Sequence, residues 1–504
     1  MKKLLTKKNI AKLQKIRKKH KIILCHGVFD VMHLGHITHF RSAKKFGDIL
    51  IVSLTKSKFI KKGPSRPLFN DTQRLEFLNS IQEVDYTYLC ESESAEDAIR
   101  KLKPNFYVKG PDYKDNKKDK SKKIYIEKKL IENLGGKIIY TSDKKYSSTK
   151  IINNSRYELK TEQREYLNKL VQKYKPLNFL EMIKKLSSKK CLVIGELIFD
   201  HYKYGDIIGK AGKEPHLVFR ENFEEFYSGG SAAIARHIAP FVKNVNLLTS
   251  FGEEKKFKNI LKKQFDKNIA LKNITKGSLF PTIIKTRYLD INSNYKMFGS
   301  YSIPLTINKK FYEYFKREFK KNIINKDLVI ICDYGHGLLN KSIIKKINSL
   351  KTFSAANSQI NSSTTGFSHI SKFLNMDLVV INQNELRQEQ RDMSTDVKEL
   401  SLRFLKKNNC KNLIVTSGKD GAILVDRNLK IYKCPAFAIK SLDKVGAGDS
   451  VLAMASLALS SNLPKDISLF LSSVAASQSI QTIGNKLSLN YHDFVEDLEF
   501  LINV

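Results

Sequence analysis

Short apolar runs recur along the chain, separated by longer stretches of mixed character. Ile22-Ile23-Leu24-Cys25, Asp48 to Leu54, Phe106-Tyr107-Val108 and Ile138-Ile139-Tyr140 have strand length and little polar interruption, as strands buried on both faces do. The stretches between them are long enough for helices, and that alternation predicts a parallel sheet with right-handed crossovers. A polar, helix-prone segment from Tyr157 to Tyr174, stopped by Lys175-Pro176, precedes a second series of runs. These are Lys190 to Gly195, Asn246-Leu247-Leu248, Leu328 to Cys332, Leu378 to Ile381 and Leu413 to Thr416, and from Ser450 to Ile483 the chain is rich in Ala, Ser and Leu at helical spacing. The fold class expected is α/β: a Rossmann-like domain at 1–155, a helical linker at 156–186 and one larger α/β domain at 187–504.

Composition changes the picture in two respects. With 504 residues, 41% hydrophobic and 28% charged, the chain is too long for one small binding module and too apolar for disorder. Its 89 Lys+Arg against 50 Asp+Glu give a net charge of +39, which draws attention to anionic partners. The surplus is mostly Lys, spread in short runs such as Lys117-Lys118 and Lys255-Lys256, and Trp is absent. Base-reading surfaces concentrate Arg and aromatic residues instead, so no nucleic acid is expected as a partner. Six scattered cysteines without a Cys-x-x-Cys pair read as buried thiols. Leu5, Ile10, Leu13 and Ile16 fall near helical spacing among lysines, which predicts a short helix on the first domain, a membrane-surface helix being the alternative. No run reaches the ~18 apolar residues of a membrane span, and a cytoplasmic location without membrane partners is the expectation.

The first candidate site lies where the strand ending at Cys25 runs into His26-Gly27-Val28-Phe29-Asp30-Val31-Met32-His33-Leu34-Gly35-His36. A strand, a glycine-bearing turn and a helix start present free backbone N–H groups and the positive end of a helix dipole to an anion. His33 and His36, three apart, share one side of the first helical turn. Nucleotidyl transfer suits this arrangement, because it calls for charge stabilisation on the α- and β-phosphates more than for a nucleophilic side chain.

Gly27-Val28-Phe29-Asp30 followed by His33-Leu34-Gly35-His36 resembles the cytidylyltransferase-like nucleotidyltransferases. The likeness continues through Ala43 to Asp48, Asp71-Thr72-Gln73-Arg74, Val108 to Tyr113 and Tyr146 to Ile152, so it covers residues 20 to 152. It implies that His33, His36 and Lys44 are catalytic. It also implies that Gly27, Phe29, Asp30, Arg74, Lys109, Ser148 and Thr149 hold nucleotide or phosphate. Class I aminoacyl-tRNA synthetases share a similar motif, but the first domain is short for one and the second half is foreign to them.

The second candidate site is Leu442-Asp443-Lys444-Val445-Gly446-Ala447-Gly448-Asp449-Ser450. The turn Gly446-Ala447-Gly448, opening a helix, directs N–H groups at a transferring phosphoryl group, and Asp449 beside it can accept the proton of an attacking hydroxyl.

This segment resembles the C-terminal signature of the ribokinase-like (phosphofructokinase-B) sugar kinases, and the likeness extends over residues 190 to 490. By it, Asp200, Gly229 and Gly230 contact the sugar, as do Lys285 and Arg287 in Pro281 to Arg287. Thr416, Gly418, Gly421, Gly446, Ala447 and Gly448 hold the nucleotide, Asn382 and Glu385 serve Mg2+ through water, and Asp449 is the catalytic base. Within the family, Pro281 to Arg287 and Cys332-Asp333-Tyr334-Gly335-His336-Gly337 are similar to the kinase half of the bifunctional ADP-heptose synthases, which place the kinase first; here the order is reversed. Three positions depart from the pattern: Ala233 where Asn is usual, Ala356-Asn357-Ser358-Gln359 where Asp-Pro-Lys is usual in heptose kinases, and Val445 for Thr.

The resemblances together imply a bifunctional transferase that makes a nucleotide sugar for surface polysaccharide, with Mg2+ as cofactor and ATP as substrate. Its partners are sugars or sugar phosphates and nucleoside triphosphates, and a homodimer is compatible with the reading. Adenylyl transfer is favoured over cytidylyl transfer. The alternatives are a silent kinase-like module that only binds sugar and, more remotely, a nucleic-acid-binding protein.

Overall fold

Alternation within β1 (Ile22–Gly27) organises the first unit of the computed structural model. Ile22 and Leu24 point to one face, against Leu13, Ile99 and Tyr107, while Ile23 and Cys25 point to the other, against Phe40, Leu50 and Leu75. Both faces are covered by helices, which is why Ile22 to Cys25 include no charged or amide residue. With β2 (Ile49–Thr55), β3 (Tyr86–Cys90), β4 (Phe106–Lys109) and β5 (Lys137–Tyr140) it forms a parallel sheet of order β3-β2-β1-β4-β5. The order reverses between β2-β1 and β1-β4, and the carboxyl ends of strands at such a switch point open a crevice. The N-terminal helix Lys7–Ile16 turns Leu13 into this core beside Leu5, with Ile10 packed against it, while Ile16 at its end stays exposed.

The structure describes residues 4–17, 19–60, 67, 69–110, 123–141, 159–274, 280–304, 306–360, 368–438, 443, 445–482 and 484–503. The chain divides into two units, Met1–Tyr157 and Glu158–Val504. The segment expected as a linker is helical, at Thr161–Tyr174 and Pro176–Leu186, but both helices belong to the second unit. Leu167, Leu170 and Phe179 are buried, Gln163 donates to the Ala436 carbonyl at 2.6 Å, and Tyr174 donates to Asp466 at 2.7 Å. Burying a side chain such as Phe179 contributes about 1.5–3 kcal/mol, which a free connector would forgo.

The second unit has two sheets. The larger contains β6 (Lys190–Gly195) and, after β7 (Leu197–Lys210) and β8 (Leu217–Gly230) of the smaller sheet, β9 (Asn244–Thr249) and β10 (Ile269–Asn273). Following β11 (Ile283–Asp290) and β12 (Lys296–Ser302), it adds β13 (Leu328–Asp333), β14 (Phe353–Ser358), β15 (Leu378–Asn382), β16 (Asn412–Thr416), β17 (Ala422–Asp426) and β18 (Ile431–Cys434). Its order is β10-β9-β6-β13-β14-β15-β16-β17-β18, parallel except at the β16-β17 and β17-β18 pairs. The smaller sheet, β12-β11-β7-β8, has one exposed face, so its strands mix polar and apolar residues and escape a search for apolar runs. The helical stretch expected after Ser450 is two helices, Ala447–Ser460 and Lys465–Ser479, split before Pro464. Among the described residues, no helix is long and apolar enough to cross a membrane, and all six cysteines are free and buried.

Candidate active sites

In the first unit, β1 delivers the chain to a turn in which Phe29 takes a left-handed backbone (φ 49). Its ring packs under Gly27, where a Cβ would lie 3.0 Å from it, and stands edge-on to His36 at 5.5 Å. Asp30, buried, accepts from the Phe69 N–H at 3.1 Å and ties this turn to the segment before the helix Asp71–Ser80. His33 caps the helix Leu34–Lys44: its Nδ1 accepts from Gly35 N at 3.1 Å, and His36 Nδ1 accepts from His33 N at 3.3 Å. With each Nδ1 committed to a backbone N–H, the neutral imidazoles carry their protons on Nε2. Burial lowers the His33 pKa, favouring that neutral form. The two rings lie 3.9 Å apart at the helix N-terminus.

Other expected residues stand differently. Lys44 is at the far end of that 11-residue helix, by helical rise about 16 Å from His33 and about 12 Å from His36; there it binds the Asp48 carbonyl at 2.7 Å and pairs with Asp85. The catalytic role expected of Lys44 thus falls on a side chain engaged by Asp48 and Asp85 in the last turn of the helix that His33 caps. Arg74 is fully buried and spends its donors on protein: Val28 O (2.6 Å), Thr55 O and Ser57 Oγ (3.0 Å each), Phe69 O (3.0 Å) and Asp71 (2.5 Å). It ties the turn at Val28 to the end of β2 and to the helix Asp71–Ser80. Lys109 ends β4 at the switch point, buried, 3.4 Å from the carboxylate of buried Glu127. Ser148 and Thr149 lie outside the described residues.

In the second unit, Gly446 (φ 91) caps the helix Ala447–Ser460, and Gly448 is open to solvent. Asp449, in the first turn, is only partly exposed, and burial pushes its carboxyl up to about 7 against the hydrogen bond donated by Tyr334 Oη at 3.0 Å. Lys285, almost fully buried, lies within electrostatic reach; burial pulls its ammonium down and the Asp200 charge pulls it back up. Asp200 accepts from Arg287 at 2.6 Å on Oδ1 and from Asn485 at 2.9 Å on Oδ2. Strand pairing of β7 with β11 sets Lys285 opposite Asp200. Gly229 is required here, since a Cβ on it would lie 2.3 Å from Asp200 Oδ2. Gly230 (φ 62) turns the chain into the next helix.

On the nucleotide side, Thr416 ends β16 and the turn beyond it holds Gly418 (φ 59) and Gly421 (φ 85). Asn382 and Glu385 form a capping box, Asn382 Oδ1 accepting from Glu385 N at 2.8 Å and Glu385 accepting from Asn382 N at 3.1 Å. Burial raises Glu385, whose charge reaches Asp449. A recessed carboxylate beside a phosphoryl site fits a Mg2+ held through waters. Tyr334, Glu196 and Asn485 carry roles that the sequence did not reveal. Glu196 is buried, held high by burial and by Asp333, and accepts from the Tyr334, His336 and Leu338 N–H groups. Tyr334 and Glu196 fall inside recognisable segments; Asn485 has no local signal.

Site and fold together define the second unit as a ribokinase-like α/β unit with a carboxylate in the first turn of a glycine-opened helix. The family described as pfkB family carbohydrate kinase matches residues 188–490, and the chain belongs to that family. The Cytidylyltransferase-like family matches residues 24–154. Curated relatives include the Bifunctional protein HldE of Aliarcobacter butzleri, 35% identical over 146 residues, 29% of this chain and 30% of the relative. The Bifunctional protein HldE of Campylobacter jejuni subsp. doylei is 39% identical over 116 residues, 23% of this chain and 25% of the relative. The chain thus spans less than a third of the length of either. Among solved structures, Escherichia coli phosphofructokinase-2 in complex with substrates and products matches 62% of this chain and 99% of its own, with TM-score 0.51 and 17% identity. The same enzyme in complex with potassium gives TM-score 0.50 and 16% identity over 62% of this chain and 99% of its own. These likenesses show the fold.

Proposed function

We propose that the chain is a bifunctional transferase of the heptose type. The second unit phosphorylates a sugar or sugar phosphate from ATP, and the first transfers a nucleotidyl group, adenylyl in preference to cytidylyl, to a sugar 1-phosphate. The product is a nucleotide sugar for surface polysaccharide. The observation that carries the reading is Asp449, held by Tyr334 at the start of a glycine-opened helix and within charge reach of Asp200 and Lys285. Matching of one chain to both families, and relatives named as bifunctional, support the pairing of activities.

In the kinase reaction the acceptor hydroxyl oxygen bonds to the γ-phosphorus as the bond to the ADP oxygen breaks, and Asp449 takes the hydroxyl proton. The N–H groups of Gly446 to Gly448 face the charge on the transferred group. Asn382 and Glu385 would hold Mg2+ through waters, and the ion would neutralise phosphate charge when bound. In the nucleotidyl reaction a sugar-phosphate oxygen bonds to the α-phosphorus and pyrophosphate departs, while His33 and His36 donate Nε2–H to phosphate oxygens.

The test is a screen of the full chain against sugars, sugar phosphates and nucleoside triphosphates, reading ADP and pyrophosphate release separately. Asp449→Asn should abolish ADP release and spare pyrophosphate release; His36→Ala should do the reverse. ADP release that survives Asp449→Asn would sink the kinase assignment.

A further inference from the structure

The carboxamide of Asn485 joins two parts of the kinase-like site that the sequence keeps far apart. Its Nδ2 donates to Asp200 Oδ2 at 2.9 Å across 285 positions, completing the hold that Arg287 has on Oδ1. The same nitrogen lies 2.9 Å from the point a Cβ on Gly229 would occupy. Its Oδ1 is buried, has no partner among the described residues, and lies 2.8 Å from the Cβ point of Gly446, the cap of the helix that carries Asp449. One side chain, 5% exposed, therefore binds the acid expected to hold the acceptor and stands beside Gly229 and the Gly446 turn that faces the phosphoryl group.

Asn485 is braced from behind. Arg236, itself buried, donates Nη1 to the Asn485 carbonyl at 2.8 Å and Nη2 to the Lys486 carbonyl at 3.2 Å. Gly484 N donates to Asp443 Oδ2 at 3.0 Å, and Asp443 also accepts from Val445 N at 3.2 Å and from Lys296 of β12 at 2.7 Å. The loop 484–486 is thus tied at once to the approach to Gly446 and to the smaller sheet that supplies Asp200. A carboxylate with a donor on each oxygen has its plane fixed, whereas one held on a single oxygen can swing.

We propose that Asn485 is a positioning residue that sets the Asp200 carboxylate against the Gly446–Gly448 turn, so that an acceptor held by Asp200 meets the phosphoryl group beside Asp449. The inference rests on the kinase reading of this site. Its value to the reaction is geometric, since displacement by ~1 Å between reacting groups costs on the order of a hundredfold in rate.

The test compares the full chain with Asn485→Ala and with the isosteric Asn485→Asp, which sets a second carboxylate against Asp200. Amide hydrogen exchange is read over residues 445–450, MgADP binding by calorimetry, and acceptor-dependent ADP release with MgATP and the best acceptor of the panel. Both variants should exchange faster at 446–449 and raise the acceptor KM by about tenfold or more, the loss of a charge-assisted hydrogen bond, with the Asp variant the worse. MgADP binding should stay within about twofold, because the Gly418 and Gly421 turn is not touched and ADP lacks the phosphoryl group that the Gly446–Gly448 turn faces. Unchanged exchange, or an unchanged acceptor KM, overturns the proposal. If the unsubstituted chain shows no acceptor-dependent ADP release, the kinase reading falls and exchange alone decides the tie. If the Ala variant fails to fold, the Asp variant carries the test.

Discussion

Replacing Asp449 with asparagine should end phosphoryl transfer and, at pH 8, make the second unit more stable. Burial raises the Asp449 carboxyl from its ordinary 3.8 to about 7, with the Asp200 and Glu385 charges adding to the rise and the Tyr334 hydrogen bond and Lys285 opposing it. Between those two pH values the native state holds a proton that the unfolded chain has released. The native state therefore loses stability as pH rises: the contribution is full below about 4 and gone above about 7. Three decades of proton affinity amount to roughly 4 kcal/mol, and the partial opening of Asp449 to solvent reduces this to about 1–2 kcal/mol. Asparagine keeps the shape, still accepts from Tyr334 and carries no charge to bury. The assay is denaturant-dependent hydrogen exchange in the helix Ala447–Ser460 at pH 5.5 and pH 8, since two units need not unfold together and the chain has no tryptophan to report. The gain for Asp449→Asn should be largest at pH 8 and shrink at pH 5.5. No gain at pH 8, or equal gains at both, would refute the argument that burial sets the properties of this carboxyl.

Three further outcomes follow from the geometry. Lys44→Met should leave pyrophosphate release within about threefold, because Asp48 and Asp85 already engage the ammonium in the last turn of the helix; a hundredfold loss would place the lysine in the site. Arg74→Ala strands the Val28, Thr55 and Phe69 carbonyls, and at about 1–3 kcal/mol for each unmet group it should cost roughly 4 kcal/mol and speed exchange in β1 and β2. Lost pyrophosphate release with unchanged exchange would instead make Arg74 a phosphate ligand. Gly229→Ala, whose Cβ would lie 2.3 Å from Asp200, should weaken acceptor binding more than about tenfold and spare MgADP; undiminished acceptor affinity would detach Asp200 from the acceptor.

The parallel strands were legible because burial on both faces removes polar residues, as in β1 and β13, every residue of which is buried in the latter. The sheet β12-β11-β7-β8 was not, because one face meets solvent and β8 reads Arg220-Glu221-Asn222 in its middle. Glycine turns at helix starts were legible at both sites for a local reason, since the backbone conformation and the N–H groups are set within a few residues. Arg74 shows where such reading stops: sequence displays a charge but not the carbonyls that gather around it. Asn485 shows the other limit, because nothing near position 485 announces a carboxylate 285 positions away.

Buried charge also weighs on whether the kinase-like unit is silent. Ala233 sits 2% exposed in the helix Ser231–Ile238, a packed position. Where Asp-Pro-Lys is missing, Ser358 donates to Asp333 at 3.0 Å and Lys372 pairs with the same carboxylate, so that acid is satisfied by other means. Both departures leave the Gly446 turn, Asp449 and the Asp200–Arg287 pair whole. A module that only bound sugar would gain stability by exchanging Asp449 for a neutral residue, and would have no reason to bury the Lys285 ammonium within its reach. Holding both at a folding cost is consistent with a site where a proton is taken and phosphate charge is met, the combination that phosphoryl transfer demands.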